Sequence, residues 1–190
     1  MEIYSPSETK LNSESIVQRI TSGKLFIHPT DTIYGLGCNA LDEGAVNDLR
    51  TAKRQLSRPF SIMVPDKEWI YNNCVITPGV EEWIDKLPGP YTLILNLKRN
   101  AVAKSVNLGE DTIGVRLPEH WFREILKKAG LPIITTSANI TGENFMTSID
   151  ELDPMIKMKC DFMIDEGIKK GTPSTIVDLS SEEIEIQKRS

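Results

Sequence analysis

Short apolar runs alternate along this chain with segments of helical periodicity, and this alternation is the feature that most limits its fold. Buried strands are predicted for KLFIHP, FSIMV, YTLILNLK, TIGVRL and LPIITTS. Helices are predicted for SESIVQRITSGK, GAVNDLRTAKR, DKEWIYNNC, PGVEEWIDKL, EHWFREILKKAG and SIDELDPMIK. Later strands, CDFMID, STIVDLS and EIEIQK, follow one another. We therefore predict an α/β fold, with a twisted mixed open sheet flanked by helices.

The 190 residues contain no repeat and no linker-like tract, which predicts a single domain over 1–190 without an additional C-terminal domain. A chain of this size buries roughly 70% of its unfolded surface, so it needs no metal or disulfide for stability. Cys38, Cys74 and Cys160 form no CxxC motif, which favours a reducing compartment. The start MEIYSPSETK does not resemble a signal peptide, and no apolar run reaches membrane-spanning length. These features predict a soluble, cytoplasmic protein without a membrane partner.

The net charge of −5 argues against a protein that coats nucleic acid non-specifically. The segment LRTAKRQLSR nevertheless carries Arg50, Lys53, Arg54 and Arg58 without an acidic residue. Cations at the end of a helix are favoured by the helix dipole, which explains one or two of them. Four together equally indicate a site for an anion.

Polar clusters follow the predicted strands, where α/β proteins commonly bind ligands. Thr30, Asp31, Thr32 and Tyr34 follow LFIH, and TTSANITGE follows LPII. The SAN sequence is equally compatible with a helix-capping turn. Arg116 lies inside an apolar strand, where its guanidinium requires a partner. A substrate carboxylate, a phosphate or an internal salt bridge with Asp31 would each satisfy it.

Candidate nucleophiles and bases are few. His28 ends an apolar strand and is interpreted as a core side chain, and His120 as a residue at a helix start. The cysteines are interpreted as small buried hydrophobic residues. This pattern suits phosphoryl or nucleotidyl transfer by positioning and charge stabilisation, rather than a covalent enzyme intermediate.

The chain resembles the YrdC/YciO family over about residues 15–189. HPTDTIYGLGCNA, PGPYTLIL, DTIGVRLPEH, TTSAN and PSTIVDL occur in the order found in that family. The resemblance implies a concave basic cleft and threonylcarbamoyl-adenylate synthase activity. Such an enzyme converts ATP, L-threonine and bicarbonate into threonylcarbamoyl-AMP and pyrophosphate. A separate transferase complex then modifies N6 of a tRNA adenosine, which makes contact with RNA or tRNA a further expectation.

The resemblance also implies roles for individual residues. Arg54, Lys53 and Arg116 would be catalytic. The threonine-binding residues would be Thr30, Asp31, Thr32, Tyr34, Arg116 and Ser137. The nucleotide-binding residues would be Arg50, Lys53, Arg54, Arg58, Thr112, Ser137, Asn139, Ser174 and Arg189. Mg²⁺ would accompany the ATP phosphates, and no permanently bound metal is expected.

Three positions depart from the pattern of the synthases. When Arg54 is aligned with the family arginine, Ala52 replaces a lysine, Arg58 an asparagine and Met63 a histidine. These replacements resemble the YciO branch, whereas the intact TTSAN favours the synthases. The alternative is therefore a YciO-like protein that binds a nucleotide or double-stranded RNA with different or weak activity. A third hypothesis, a plain double-stranded-RNA binder, is weakened by the acidic net charge.

Overall fold

The computed structural model describes residues 1–188, which form helices and strands in the α/β arrangement predicted from the sequence. The strands are β1 (Glu2–Tyr4), β2 (Phe26–His28), β3 (Gly35–Gly37), β4 (Ser61–Met63), β5 (Tyr91–Asn96), β6 (Thr112–Arg116), β7 (Ile133–Ile134), β8 (Thr136–Ser137), β9 (Phe162–Ile164), β10 (Thr175–Asp178) and β11 (Glu185–Gln187). The α-helices are α1 (Pro6–Leu11), α2 (Ser13–Thr21), α3 (Glu43–Lys53), α4 (Lys67–Asn73), α5 (Pro78–Asp85), α6 (Lys104–Asn107), α7 (Arg123–Ala129) and α8 (Pro154–Lys159).

Within residues 1–188 the strands form two mixed sheets, ordered β1-β9-β2-β3-β8 and β11-β10-β5-β6-β4-β7. The predicted mixed open sheet is thus confirmed and is divided in two. The division runs through LPIITTS, which is not one strand. Its first part, β7, pairs with β4, whereas β8 pairs with β3 of the other sheet. Thr135 stands between them, and its backbone N–H donates to the Ser61 carbonyl at 2.9 Å.

One apolar core joins the two sheets. Leu36 and Met163 from the first sheet and Ile62 and Leu93 from the second belong to the same buried cluster. A second cluster packs the first sheet against α2 and α7; it includes Phe26 and Phe162, whose rings stack at 5.0 Å. Burial of side chains from both sheets in a shared core fixes the strand ends relative to one another, and those ends carry the polar clusters.

Two predicted helices are shorter in the structure than the sequence suggested. SIDELDPMIK contains a 3₁₀ turn, Ile149–Glu151, and α8 starts only at Pro154 with Asp153 as its cap. A proline has no N–H to continue a preceding helix and disfavours helical backbone in the residue before it. EHWFREILKKAG becomes helical only at Arg123, because His120 and Trp121 instead contact Glu166.

Candidate functional site

A cavity of about 430 Å³ is lined by strand ends from both sheets and by the loops that follow α3 and β8. Its walls carry many hydroxyl groups and three cationic side chains. The lining residues include Thr30, Thr32, Tyr34, Lys53, Gln55, Arg58, Thr92, Arg116, Thr135, Ser137, Asn139, Thr141, Glu143 and Ser174. This polar lining at strand ends is where the sequence predicted a ligand site.

The Thr30–Tyr34 segment forms one buried end of the cavity and is held by its own hydrogen bonds. The hydroxyl oxygens of Thr30 and Thr32 lie 2.9 Å apart, and Thr30 donates to the Ile33 carbonyl at 2.8 Å. The Thr32 N–H donates to the Thr30 hydroxyl at 3.0 Å. Both threonines are almost completely buried, at 1% and 4% exposure. Their hydroxyls are therefore oriented before any ligand arrives.

Arg116 lies at the same end and makes the internal ion pair that was one of its predicted alternatives. Its guanidinium donates to the Asp31 carboxylate at 3.0 Å and to the Thr32 hydroxyl at 3.2 Å. The second Asp31 oxygen accepts from the backbone N–H of Glu119. Arg116 lines the cavity, whereas Asp31 does not. Asp31 thus orients the guanidinium rather than forming part of the wall.

A neighbouring segment, residues 165–171, packs against the Thr30–Tyr34 segment. The Tyr34 hydroxyl lies 2.9 Å from an Asp165 carboxylate oxygen and accepts from the Glu166 N–H at 3.0 Å. At Gly171, a Cβ atom would lie 2.1 Å from the Thr32 carbonyl oxygen. Only glycine allows so close a backbone approach. The sequence prediction missed this segment, although its two glycines within GIKKG were the available signal.

The carboxylate of Glu166 ties residues 165–171 to the loop before α7. It accepts from His120 at 3.0 Å, from the Trp121 indole at 2.9 Å and from Lys169. Burial alone would raise the pKa of this carboxyl group, but the three donors outweigh burial and lower it to about 2. The segment is therefore anchored by an ionised glutamate at every ordinary pH.

Lys53 extends from the end of α3 into the cavity wall. Its ammonium group donates to the carbonyls of Ser137, at 2.6 Å, and Asn139, at 2.8 Å. Burial lowers the pKa of Lys53 to about 8. Ala52, the aligned counterpart of the family lysine, instead packs in the apolar core with 7% exposure. The lysine that reaches the cavity is the one a residue later in the chain.

The four cations predicted to bind phosphate separate into different positions. Arg58 lines the cavity and is exposed. Arg50 does not line it: the residue is 4% exposed, and its guanidinium donates to the carbonyls of Ser105, Gln55, Arg58 and Val106. Arg54 is exposed, lies outside the cavity and caps α3 in the left-handed conformation, with φ 54°. Arg50 is thus held by main-chain carbonyls, and neither Arg50 nor Arg54 lines the cavity; the nucleotide contacts predicted for both stay predictions.

The remaining residues predicted to contact the nucleotide also differ in whether they line the cavity. Ser137, Asn139 and Ser174 line the cavity, and the Ser174 hydroxyl lies 2.7 Å from that of Thr92. Thr112 does not line it, because it lies at the opposite end of β6 from Arg116, beside Asn96 of β5. Arg189 lies outside the described residues.

Several groups that could serve other chemistry lie away from the cavity. Cys38, Cys74 and Cys160 are buried and unpaired, as interpreted from the sequence, and burial raises the pKa of each thiol. His28 is fully buried and stacks on Phe122. Across residues 1–188, no three His, Cys, Asp or Glu side chains cluster as metal ligands. No helix in that range is both long and apolar enough to cross a bilayer.

The family model Sua5_yciO_yrdC, described as telomere recombination, matches residues 18–190. A Methanocaldococcus jannaschii protein, provisionally named a threonylcarbamoyl-AMP synthase, is 38% identical over 181 residues, which cover 93% of this chain and 84% of the relative. The Pyrococcus abyssi threonylcarbamoyl-AMP synthase is 36% identical over 166 residues, 85% of this chain and 48% of the relative. The chain thus spans about half the length of that second relative.

Solved structures agree with this similarity. Pyrococcus abyssi Sua5 complexed with L-threonine superposes with a TM-score of 0.84 at 30% identity, over 97% of this chain and 56% of that one. Escherichia coli YciO superposes with a TM-score of 0.86 at 22% identity, over 99% of this chain and 94% of that one. The second likeness concerns the fold alone.

Proposed function

The chain belongs to the Sua5/YciO/YrdC family, and on this premise we propose that it is an L-threonylcarbamoyladenylate synthase, an enzyme of the nucleotidyltransferase class. It would combine ATP, L-threonine and bicarbonate into threonylcarbamoyl-AMP and release pyrophosphate. The observation that carries the proposal is the buried end of the cavity, where the Thr30 and Thr32 hydroxyls stand beside the Arg116 guanidinium. A solved relative of similar fold binds L-threonine.

The amino acid is bound at this buried end. The Arg116 guanidinium offers charge to the substrate carboxylate, and Asp31 keeps the guanidinium in position through their 3.0 Å contact. Thr32 and Ser137 provide hydroxyls for the polar groups of the substrate. Each charge-assisted hydrogen bond contributes roughly 1.5–3 kcal/mol, so two or three hold a small zwitterion.

The nucleotide occupies the opposite, more exposed end. Arg58 supplies positive charge to the phosphates, while Asn139 and Ser174 supply polar contacts. Mg²⁺ bound to ATP would add charge neutralisation at the phosphates.

The reaction requires positioning rather than an enzyme nucleophile. The carbamate formed from threonine attacks the α-phosphate, and pyrophosphate leaves. The side chains around the cavity orient the two reactants and stabilise the charge that develops on the phosphoryl oxygens. We further propose that the product serves N6-threonylcarbamoylation of tRNA adenosine, through a separate transferase complex, in the cytoplasm.

Pyrophosphate release tests this function directly. The purified protein is incubated with MgATP and bicarbonate, with and without L-threonine, and the products are examined by mass spectrometry. We expect release that depends on both threonine and bicarbonate, together with the mass of threonylcarbamoyl-AMP. Nucleotide binding without threonine-dependent release would contradict the synthase assignment.

A YciO-like role is the second candidate. It is favoured by the position of Met63, which replaces the family histidine. Met63 is completely buried in the second apolar cluster, the one that includes Phe26 and Phe162, and does not line the cavity. Such a protein would bind a nucleotide or double-stranded RNA in the same cavity with weak or different activity. Tight binding of a short RNA duplex, unaffected by threonine, would favour it over the synthase.

A further inference from the structure

Lys53 presents a buried amine to the cavity without a carboxylate beside it. The residue is 3% exposed, and no ion pair found among residues 1–188 includes it. Buried lysines ordinarily pair with an acid, because an isolated charge is costly to desolvate. An amine held in this way is a candidate for proton transfer as well as for charge stabilisation.

The hydrogen bonds of Lys53 fit both the charged and the neutral amine. Two N–H groups point at the main-chain carbonyls of Ser137 and Asn139, at 2.6 Å and 2.8 Å. The side-chain oxygens of Ser137 and Asn139 lie farther away, each at 3.3 Å. A neutral amine has two N–H groups and one lone pair, so it keeps both short bonds after losing a proton. Its lone pair then accepts from the Ser137 hydroxyl, which can also act as a donor.

The proposed reaction needs such a group. The α-amine of threonine is an ammonium near neutral pH and has no lone pair for attack on carbon. One proton must leave before the N–C bond of the carbamate can form. Arg116 and Arg58, the other cavity cations, are guanidinium groups that stay protonated and cannot receive it.

We propose that Lys53 is the proton acceptor that frees the substrate amine for carboxylation, with the Ser137 hydroxyl as the polar group nearest to it on the cavity wall. This inference rests on the proposed function. The threonine ammonium gives one proton to the Ser137 hydroxyl, which passes its own proton to the neutral amine of Lys53, so that Ser137 is unchanged and Lys53 becomes an ammonium. The freed amine then bonds to the carbon of bicarbonate, so that amine plus bicarbonate gives the carbamate anion plus one water. Lys53 returns its proton to solvent before the next turnover.

The electrostatic surroundings of Lys53 are consistent with this role. Burial lowers its pKa to about 8, which makes the neutral form accessible near physiological pH. The charged groups on the surrounding elements are Arg50 and Arg54 at the end of its own helix, Arg58 in the next loop, Arg116 on β6 and Glu143 beyond Asn139. None of them bonds to the Lys53 nitrogen.

The test compares the pH dependence of turnover in four proteins at saturating MgATP, threonine and bicarbonate. These are the wild type, Lys53→Arg, Lys53→Ala and the surface control Lys127→Arg. The wild-type rate is expected to rise about tenfold per pH unit up to about pH 8 and then level off. Lys53→Arg, which stays protonated, should be at least about 100-fold slower. Lys127→Arg should follow the wild type, since Lys127 is exposed and pairs with Glu124 at the surface.

Chemical rescue separates proton transfer from a structural role. Added methylamine, ethylamine and related primary amines should restore turnover to Lys53→Ala, with a rate that increases with the pKa of the amine. Nucleotide affinity and circular dichroism of Lys53→Arg report whether the variant remains folded. A folded Lys53→Arg with the wild-type rate and pH profile would overturn the inference. So would a folded Lys53→Ala that no amine rescues.

Failure of the inference can be told apart from failure of the proposed function. If the wild type releases no threonine- and bicarbonate-dependent pyrophosphate at any pH, the synthase assignment fails and this inference fails with it. If the wild type turns over but Lys53→Arg matches it, only the proton-acceptor role fails. The ¹⁵N NMR titration of the Lys53 nitrogen gives an independent check: a pKa near 8 supports the role, and a value above 10 overturns it.

Discussion

The two ends of the cavity differ in how firmly their side chains are held. At the closed end, formed by the Thr30–Tyr34 segment and Arg116, the functional groups are buried and bonded to one another. At the open end, formed by Gln55–Arg58 and Asn139–Glu143, Arg58 and Glu143 are exposed and Leu56 is 75% exposed. Side chains that are already in place lower the entropic cost of binding a small substrate, whereas loops that change conformation can accommodate a flexible polyphosphate. The contrast predicts that changes at the two ends have different consequences.

Replacement of Arg116 by alanine should have the largest effect, because it removes charge from the closed end and leaves the half-buried Asp31 carboxylate without its cationic partner. We expect kcat/KM for threonine to fall about 100-fold or more, and the free energy of unfolding to fall by about 3–5 kcal/mol. Pyrophosphate assays and urea unfolding measure the two quantities. The control Asp31→Asn keeps the guanidinium and should lose stability but retain most activity. Equal loss of activity in both variants would contradict a direct contact between Arg116 and the substrate.

Arg50 and Arg58 give the sharpest contrast between structure and binding, because both lie in one cationic run. Arg50→Ala removes donors from four main-chain carbonyls and should lower the free energy of unfolding by about 2–4 kcal/mol. Arg58→Ala changes an exposed side chain, so stability should change by less than about 0.5 kcal/mol while KM for ATP rises about tenfold. Thermal unfolding of both variants measures the change in stability, and ATP titration of their activity measures the change in KM. A loss of stability in Arg58→Ala as large as that in Arg50→Ala would contradict the division into a structural and a binding arginine.

Gly171→Ala tests whether residues 165–171 help to close the buried end. The new Cβ would lie 2.1 Å from the Thr32 carbonyl oxygen, so the segment must move away. We expect a loss of about 1–3 kcal/mol in stability and a rise of about fivefold to tenfold in KM for threonine, with KM for ATP unchanged. The control Gly79→Ala, in α5 with its nearest atom at 4.0 Å, should be neutral or slightly stabilising. An equal rise in both KM values would place the effect outside the closed end.

The pH dependence of stability should show the smallest effect. Because the folded-state pKa of Glu166 is lowered to about 2, its contribution is present above the ordinary glutamate pKa near 4.3 and is lost as pH falls through 2. At pH 7 we expect Glu166→Gln to be less stable than the wild type by about 1–2 kcal/mol, after allowance for solvent screening. Urea unfolding from pH 7 to pH 2 should show the two proteins converging at low pH. A constant difference would rule out ionisation of Glu166 as the cause.

Local sequence patterns predicted much of the fold but could not distinguish the residues that line the cavity from those that support the structure. The strand at FSIMV and the helix of GAVNDLRTAKR follow from periodicity alone. By contrast, Arg50 and Arg58 look alike in sequence, and two of the four carbonyls that hold Arg50, those of Ser105 and Val106, lie more than fifty residues away. The break in LPIITTS likewise depends on strands β3 and β4 from opposite sheets. The missed helix α1 had a local signal, since Ser5 and Glu8 form a capping box.

The first strand has a consequence for how the protein is made. β1 and β2 both pair in parallel with β9. The strands near residues 2 and 27 therefore cannot form these pairs until residues near 162 have been synthesised. On a ribosome, the first sheet therefore cannot be completed until most of the chain has emerged. Contacts of such long sequence separation slow folding and leave strand edges exposed in the meantime. Nascent chains that stop before β9 should be inactive and prone to aggregate, even though they already contain the complete Thr30–Tyr34 segment.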